Sequence, residues 1–388
     1  MYASTHLISS KRLTEYTDFP MPEEFPPYPS HRQALDYLRS YARHFQLYDS
    51  ISFGNEVARI EPEDDRFRVW ITGEARPRRY RGVVIANGHH WDPLLPELPG
   101  EFHGEVLHSH HYKTPEVLQG RRVLVVGAGN SGCDIAVEAA QHAAAAFHSL
   151  RRGYHFLPKF LRGMPVDELD HNLQRMRLPL WLRRFIAGWV VYYTLGPPEK
   201  FGLPRPTHRL FEAHPIVNSQ LLYFLGHGRI LPKPDVARLA GREVEFADGS
   251  REAIDLIVFA TGFRLSFPFL EGRHLNMENG VPRLFLNAFH PQHDHLFIAG
   301  LTQPNSGQWG LTDLQTQLFA RFLVACRTDE PRAAWFRELK SKPTGDLMGG
   351  IRMIDSPRHA LEVDSYRFRR RLEHLIARFP QTALAPRR

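Results

Sequence analysis

Cysteine is nearly absent: Cys133 and Cys326 are the only two in 388 residues. Two are too few for a disulfide framework, and their separation suits no metal cluster. A reducing compartment is the simplest setting, so a cytoplasmic protein without a metal is expected. An apolar leader is lacking as well, since Met1-Tyr2-Ala3-Ser4 runs into polar sequence rather than an apolar core segment. No apolar stretch reaches the ~20 residues that a membrane-spanning helix needs. The most apolar one, Phe185 to Pro198, carries no charge, follows Arg183-Arg184 and contains Trp189, Tyr192 and Tyr193. It reads first as a core or lid helix and second as peripheral membrane contact. Low-complexity tracts and repeats of fixed period are also missing. So are the patterns of a nucleophile–base triad, a paired-carboxylate site and a metal site.

What remains is globular in composition, 43% hydrophobic and 23% charged. The length suits two or three domains, or one large split domain. A net charge of +7 points to an anionic partner, either nucleic acid or a phosphate-rich cofactor. The basic residues are scattered in pairs, and only Arg369-Arg370-Arg371 makes a triple. Around it Tyr366, Phe368, Leu372, Leu375, Ile376 and Phe379 recur at helical spacing. That pattern predicts the solvated face of a C-terminal helix, not a nucleic-acid surface.

Along the chain, prolines break up residues 1–30. Ser30 then caps a predicted amphipathic helix with Leu35, Leu38, Tyr41 and Phe45 as its apolar positions. Short strands are expected at Ile51–Phe53, Glu56–Ile60, Phe67–Ile71 and Tyr80–Ala86. The run Val83-Val84-Ile85-Ala86 has the look of a fully buried strand. After Pro93, Pro96 and Pro99 comes a second start: a strand at Arg122–Val126, a glycine turn at 127–132, a helix over 133–145 and a strand at Ala146–Leu150. This is the opening of a doubly wound unit. Residues 153–230 read as mixed and mainly helical. Strands return at Glu243–Phe246, Asp255–Ala260 and His295–Ala299, and a helix is expected at Leu311–Ala325.

The turn Gly127-Ala128-Gly129-Asn130-Ser131-Gly132 sits between the β-branched run Val123-Leu124-Val125-Val126 and an amphipathic helix. In that context Gly127 permits the tight turn, Gly129 lets a pyrophosphate approach the backbone, and Gly132 lets helix pack closely on strand. The anion then rests on a helix N-terminus. About 20 positions on, an NAD-binding unit would carry Asp or Glu for the ribose hydroxyl. This chain reads Ser149-Leu150-Arg151-Arg152. Arginine forks suit a 2′-phosphate, so NADPH is expected over NADH.

Ahead of the turn, Phe102, Gly104, His108 and Tyr112 spell FxGxxxHxxxY. This spacing, placed just before a GxGxxG, resembles the fingerprint of the flavin-containing monooxygenases. Tyr28-Pro29-Ser30-His31, Ala86-Asn87-Gly88-His89, Phe259-Ala260-Thr261-Gly262-Phe263, Phe297-Ile298-Ala299-Gly300 and Leu314-Gln315 match in the same order. The likeness runs from Tyr2 to about residue 330. It implies an α/β protein of two nested Rossmann-like dinucleotide-binding domains, the first of them, for FAD, incomplete at its N-terminus. The implied divisions are a partial FAD domain at 1–115 and an NADPH domain at 116–265 with a helical insertion about 155–225. The chain would return to the FAD domain at 266–330 and end in a helical tail at 331–388. The implied activity resembles that of N,N-dimethylaniline monooxygenase. One oxygen atom from O2 passes to an amine nitrogen or sulfide sulfur through a C4a-(hydro)peroxyflavin, with FAD and NADPH as cofactors. Baeyer–Villiger relatives carry Trp where this chain has Tyr112. That chemistry is the alternative, beside an inactive NADPH-binding remnant.

The resemblance further implies that Val57, Asn87, Gly88, Thr261, Gly262, Gly300 and Gln315 lie near FAD or between domains. The histidines His108, His110 and His111 read as hydrogen-bonding residues rather than ligands. Two departures stand out. A first GxGxxG, for the FAD pyrophosphate, is missing before Tyr2. Truncation of a longer protein is expected over degeneracy, because losing a central parallel strand leaves edges unpaired. The chain as written is then expected to bind FAD poorly. Second, the position where many relatives place an Asn near the flavin is Ile8, with His6 and Ser9 nearby. His6, Asn218 and Ser219 are the polar candidates for the cleft, and the sequence is silent on oligomeric state.

Overall fold

The computed structural model describes residues 1–64, 66–356 and 359–380. Positions 357, 358 and 381–388 of the expected C-terminal tail lie outside the described residues. The chain divides into two compact units. One comprises Met1–Ile8, His90–Arg264 and Arg352–Asp355; the other comprises Ser9–His89, Leu265–Ile351 and the chain from Ser356. The stretch 90–115, expected in the partial FAD domain, lies here in the unit that holds the glycine turn. Two of its strands, Gly100–Phe102 and Glu105–His108, hydrogen-bond to Val236–Gly241 and Leu256–Phe259.

The first unit is built on five parallel strands: β1 (Glu105–His108), β2 (Arg122–Val126), β3 (Ala145–Ser149), β4 (Ile230–Lys233) and β5 (Leu256–Phe259). Their order is β4-β3-β2-β5-β1. The sequences RVLVV and LIVF of β2 and β5 are almost wholly buried, as a strand covered on both faces requires. Between β2 and β3 runs helix α1 (Asn130–His142). Its alanines allow close approach, and Ile135, Ala136, Ala139 and Ala140 pack with Val123, Val125, Ala146 and Val258 in one core. On the opposite face Val244 and Phe246, from an antiparallel sheet of Val236–Gly241, Glu243–Phe246 and Arg251–Ala253, cluster with Leu124, Phe147 and Ile257. Between β3 and β4 the chain forms α2 (Val166–Arg175), α3 (Leu180–Thr194) and the short α4 (Leu221–Gly226).

The second unit contains an antiparallel meander (Val57–Glu63, Arg66–Ile71, Arg78–Tyr80) and a parallel pair, Val83–Ile85 with Leu296–Ile298. The Ser30-capped helix forms at His31–His44, with Gln33 completing a capping box. Its buried residues are Ala34 and Tyr37, whereas Leu35 is exposed. The helices Trp309–Thr328, Glu330–Lys340 and Ser365–Ile376 enclose an aromatic core of Phe289, Phe297, Phe319, Phe322, Phe336 and Phe368. In the last helix Phe368, Leu372 and Leu375 point inward, as its spacing predicts.

Three further expectations fail, each for a physical reason. Ile51–Phe53 is not a strand. A 3-10 turn at Leu47–Ser50 precedes it and Phe53 is largely exposed. Tyr80–Ala86 divides into Arg78–Tyr80 and Val83–Ile85, and the apolar run of the latter is not buried throughout. Its alternation turns Ile85 inward and leaves Val84 48% exposed. The third is the core reading of α3: Trp181, Phe185, Trp189, Tyr192 and Tyr193 all face solvent.

Candidate cofactor site

The glycine turn links β2 to α1 where strand order reverses, between β2 with its neighbour β3 and β5 on the other side. In doubly wound sheets this crevice is where ligands bind. Gly127 adopts φ +118°, and a Cβ there would stand 2.4 Å from the Ala260 carbonyl oxygen. At Gly132 a Cβ would stand 2.0 Å from the Gly127 oxygen. No side chain fits at either place, so backbone closes on backbone. Gly129 is the N-cap of α1 and offers no capping side chain. A 13-residue helix therefore opens with its N–H groups on a glycine backbone, which is the cradle a pyrophosphate requires.

The residues around the turn are tied down. Asn130 Oδ1 accepts from the Val217 N–H at 2.9 Å. The fully buried His148, on β3, contacts the Gly127 oxygen through Nε2 at 2.9 Å. Since a carbonyl can only accept, Nε2 carries the proton. Burial lowers the pKa of this imidazole to about 4, so it remains a neutral donor. At the end of β3, the Ser149 hydroxyl is buried and donates to the Pro234 carbonyl at 2.7 Å. Arg151 is exposed, and Arg152 lies over the Tyr154 ring with Nε donating to its hydroxyl at 3.1 Å.

The four fingerprint positions fasten this unit rather than form a reactive cluster. A Cβ at Gly104 would strike the Phe102 ring at 2.5 Å and the Asp255 oxygen at 2.7 Å. Phe102 itself packs against the core beneath the sheet. His108 accepts from the His110 N–H through Nδ1 at 3.1 Å, which leaves Nε2 to donate to the Gly262 oxygen at 3.0 Å. Desolvation lowers its pKa, and the neutral tautomer thereby ties β1 to the Thr261-Gly262 turn after β5. Tyr112 is fully buried and donates to the Glu138 carboxylate on α1. Burial and that carboxylate push its pKa far up.

A polar network missed in the sequence lies on the same helix. Asp134 accepts from the Tyr2 hydroxyl at 3.0 Å and from Asn218 Nδ2 at 2.8 Å. Burial raises its pKa, opposed chiefly by the Lys159 cation. Asn218 Oδ1 accepts from the N–H groups of Gln220 and Leu221 at 2.9 and 2.8 Å, so this amide organises the entry to α4. Ser219 Oγ accepts from the Lys159 N–H at 3.0 Å. His6 is exposed and its ring turns back on the Ser4 carbonyl. Acidic residues at an i, i+4 interval in an alanine-rich helix, Asp134 and Glu138, were the available signal. So was the histidine in the apolar strand AAFHS.

In the second unit Asn87, Gly88, Ile298, Ala299 and Gly300 line a small recess with His89, Phe267 and Leu301. Asn87 Nδ2 donates to the Ser266 carbonyl at 3.0 Å, while its Oδ1 is buried without a hydrogen-bond partner. Gly88 has φ +74° with open space where a Cβ would stand. The fully buried Gln315 accepts from the Gly300 N–H at 3.1 Å and donates to the Leu286 carbonyl at 3.1 Å. An orphaned acceptor beside the open Gly88 fits the edge of a bound cofactor. Val57 is not part of this recess; it begins the meander and is half exposed.

The model of the flavin-binding monooxygenase-like family matches residues 1–346. The chain is 32% identical over 369 residues to dimethylaniline monooxygenase (N-oxide-forming) 2 of Macaca mulatta, covering 90% of this chain and 69% of that protein. With the Rattus norvegicus protein of that name it is 33% identical over 346 residues, covering 84% and 64%. The chain thus spans about two thirds of the length of these relatives. Among solved structures, S-allyl-L-cysteine S-oxygenase from Allium sativum superimposes with TM-score 0.64 at 18% identity, covering 97% of this chain and 74% of that one. A caprolactone-bound cyclohexanone monooxygenase reaches TM-score 0.70 at 17% identity, covering 97% and 89%. At such identities the likeness is one of fold, the Rossmann-type α/β architecture. With the family model matched over most of its length, and relatives above 30% identity, the chain belongs to the flavin-binding monooxygenase-like family, whose cofactors are FAD and NADPH.

Proposed function

We propose that this chain carries the NADPH-binding and part of the FAD-binding machinery of a monooxygenase that places one oxygen atom from O2 on an amine nitrogen or a sulfide sulfur. The observation that carries this reading is the Gly127–Gly132 cradle at the head of α1, with Arg151 exposed at the end of the next strand. In this assignment the backbone of Gly127, Gly129, Asn130, Ser131 and Gly132 holds the pyrophosphate. Arg151, seconded by Arg152, reads the 2′-phosphate. Ser149, whose hydroxyl is turned inward, supports the strand end. Asn87, Gly88, Gly300 and Gln315 shape the FAD wall, and Thr261-Gly262 is held in place by His108. NADPH supplies hydride and FAD supplies the oxygen-activating chemistry when bound; the protein's share is binding, orientation and exclusion of water. Tyr112, not Trp, favours heteroatom oxygenation over the Baeyer–Villiger alternative. The name of the macaque relative supports nitrogen as acceptor. Asn218 and Ser219 are here organisers of the α4 entry, and His6 has no assigned role.

The test is NADPH oxidation by a version restored at its N-terminus with an FAD-binding GxGxxG segment, supplied with FAD and N,N-dimethylaniline or a thioether, with product mass followed under labelled O2. Incorporation of one labelled atom is expected; oxidation of NADPH without labelled product refutes the oxygenase reading. Separately, Arg151→Ala/Arg152→Ala should weaken NADPH binding by about tenfold or more, a charged-contact loss of ~1.5–3 kcal/mol, and leave NADH nearly unchanged. Equal effects on both nucleotides refute the phosphate assignment.

A further inference from the structure

Helix α1 is tied to its surroundings along one face. Asn130, Asp134 and Glu138 recur every four residues, so their side chains stack along the helix. Each meets a partner from another segment: the Val217 N–H at Asn130, Tyr2 and Asn218 at Asp134, and Tyr112 at Glu138. At Asp134 both carboxylate oxygens are engaged. Oδ2 accepts from the Tyr2 hydroxyl at 3.0 Å and Oδ1 from Asn218 Nδ2 at 2.8 Å. Both donors are themselves held. Tyr2 is buried, its ring lies 5.9 Å from that of Tyr112, and the next residue, Ala3, donates its N–H to the Lys113 carbonyl at 2.8 Å. Asn218 is buried and accepts through Oδ1 from two backbone N–H groups.

Such ties matter most where a helix is weakest. Its first turn has N–H groups without intrahelical partners, and Gly129 supplies no capping side chain to steady them. The Asn130 side chain is occupied by Val217, so what this turn offers an anion is backbone. A backbone site cannot adjust by rotating a side chain, and its affinity depends on where the turn is held. Val217 and Asn218, adjacent in the chain, fasten positions 130 and 134, about one helical turn apart. Tyr2 grips the second of these from a distant part of the sequence. A carboxylate this near an anion site works against the anion by Coulomb repulsion. Here its charge is shared by two hydrogen bonds and partly balanced by the Lys159 cation, so the tie is kept and the repulsion reduced. We propose that Asp134, gripped by Tyr2 and Asn218, is a positioning residue for the nucleotide: it fixes the first turn of α1 and with it the backbone that receives the pyrophosphate. The proposal rests on the reading of Gly127–Gly132 as the NADPH cradle.

The test is calorimetric binding of NADPH, NADH and adenosine 2′-monophosphate to the full chain, to Tyr2→Phe, to Asp134→Ala and to the double variant. Tyr2→Phe keeps the ring and removes only the hydroxyl, so it carries the test alone if circular dichroism shows Asp134→Ala unfolded. In each variant NADPH and NADH should weaken alike, by about fivefold or more, the scale of one hydrogen bond, because both carry the pyrophosphate. Adenosine 2′-monophosphate has none, and its affinity should change less than about twofold. The double variant should bind NADPH no more weakly than Asp134→Ala, since the two side chains act through one bond. Unchanged NADPH affinity in Tyr2→Phe overturns the proposal and leaves the cradle reading standing. Equal weakening of adenosine 2′-monophosphate overturns it too, as the mark of a unit that has merely loosened, and so do additive losses in the double variant. A parent chain that binds neither NADPH nor NADH refutes the cradle reading itself, and the proposal with it.

Discussion

Removing one oxygen atom, in Tyr112→Phe, isolates what the last fingerprint residue contributes. Tyr112 is fully buried, its hydroxyl donates to Glu138, and its ring lies 5.9 Å from that of Tyr2. Phenylalanine fills the same space, so no cavity opens and the aromatic packing is kept. The loss is a hydrogen bond to a charged acceptor, together with a carboxylate left in a site only 9% exposed. Hydrogen bonds to charged groups contribute ~1.5–3 kcal/mol, and a stranded buried acceptor costs at the upper end of that range. For a unit of this size ~2–3 kcal/mol corresponds to a melting temperature lower by roughly 4–12 °C, measurable by calorimetry. Removing the acceptor as well should reverse part of the loss. Tyr112→Phe/Glu138→Leu is expected to be more stable than Tyr112→Phe alone, because no polar group is then left unpaired. NADPH affinity should change less than about threefold, since the cradle is held through other contacts. A Tyr112→Phe protein within ~0.5 kcal/mol of the parent, where ordinary surface substitutions fall, would refute the assignment of Tyr112 as a buried tie.

Three further outcomes are expected. His148 is fully buried with its pKa lowered to about 4, against an ordinary value near 6.5. A lowered histidine pKa means the fold favours the neutral ring. Its contribution is therefore complete above pH 6.5 and is lost as pH falls toward 4, to a total of about 3 kcal/mol. Urea denaturation between pH 7.5 and 4.5 should show this decline, and His148→Phe should flatten it; a parent as stable at pH 4.5 as at 7.5 contradicts it. Lys340 is buried, with Nζ at 2.8 and 3.0 Å from the carbonyls of His290 and Pro291 and 3.2 Å from Asp294. Lys340→Met leaves that carboxylate to Arg337 and the two carbonyls without their donor, and should cost ~1–3 kcal/mol by calorimetry. Gly132→Ala forces a methyl onto the Gly127 oxygen, so NADPH binding by calorimetry should fall at least ~10-fold, equivalent to ~1.4 kcal/mol; unchanged affinity would show that the interlock is not needed for the cradle.

The β2–turn–α1 segment was legible because three signals coincide there: a β-branched run, fixed glycine spacing and an alanine-rich helix. Ser30 was readable as a cap for the same reason, with Gln33 three residues on. The face of the helix it starts was misjudged, because aliphatic spacing favoured Leu35 while Tyr37 fills the buried position. Val84 shows the limit of a β-branched run: it measures strand propensity, and exposure depends on what packs above the strand. In α3 apolarity was plain, but its direction was set by Asp170 and Glu212, which draw Arg183 and Arg184 inward. His148, Asp134 and Glu138 stand out locally as polar residues in apolar elements, but their partners are distant in sequence, so their roles could not be read there.

Strand β3 keeps two jobs apart. Its inward-facing His148 grips the loop, while Arg151, just past its end, is free to meet a phosphate without touching that grip. For an engineer these are separable handles. On the proposed assignment, changing Arg151 alters nucleotide preference and leaves the cradle as it is. A change at position 148 slackens the cradle for every nucleotide alike and teaches the protein no new choice.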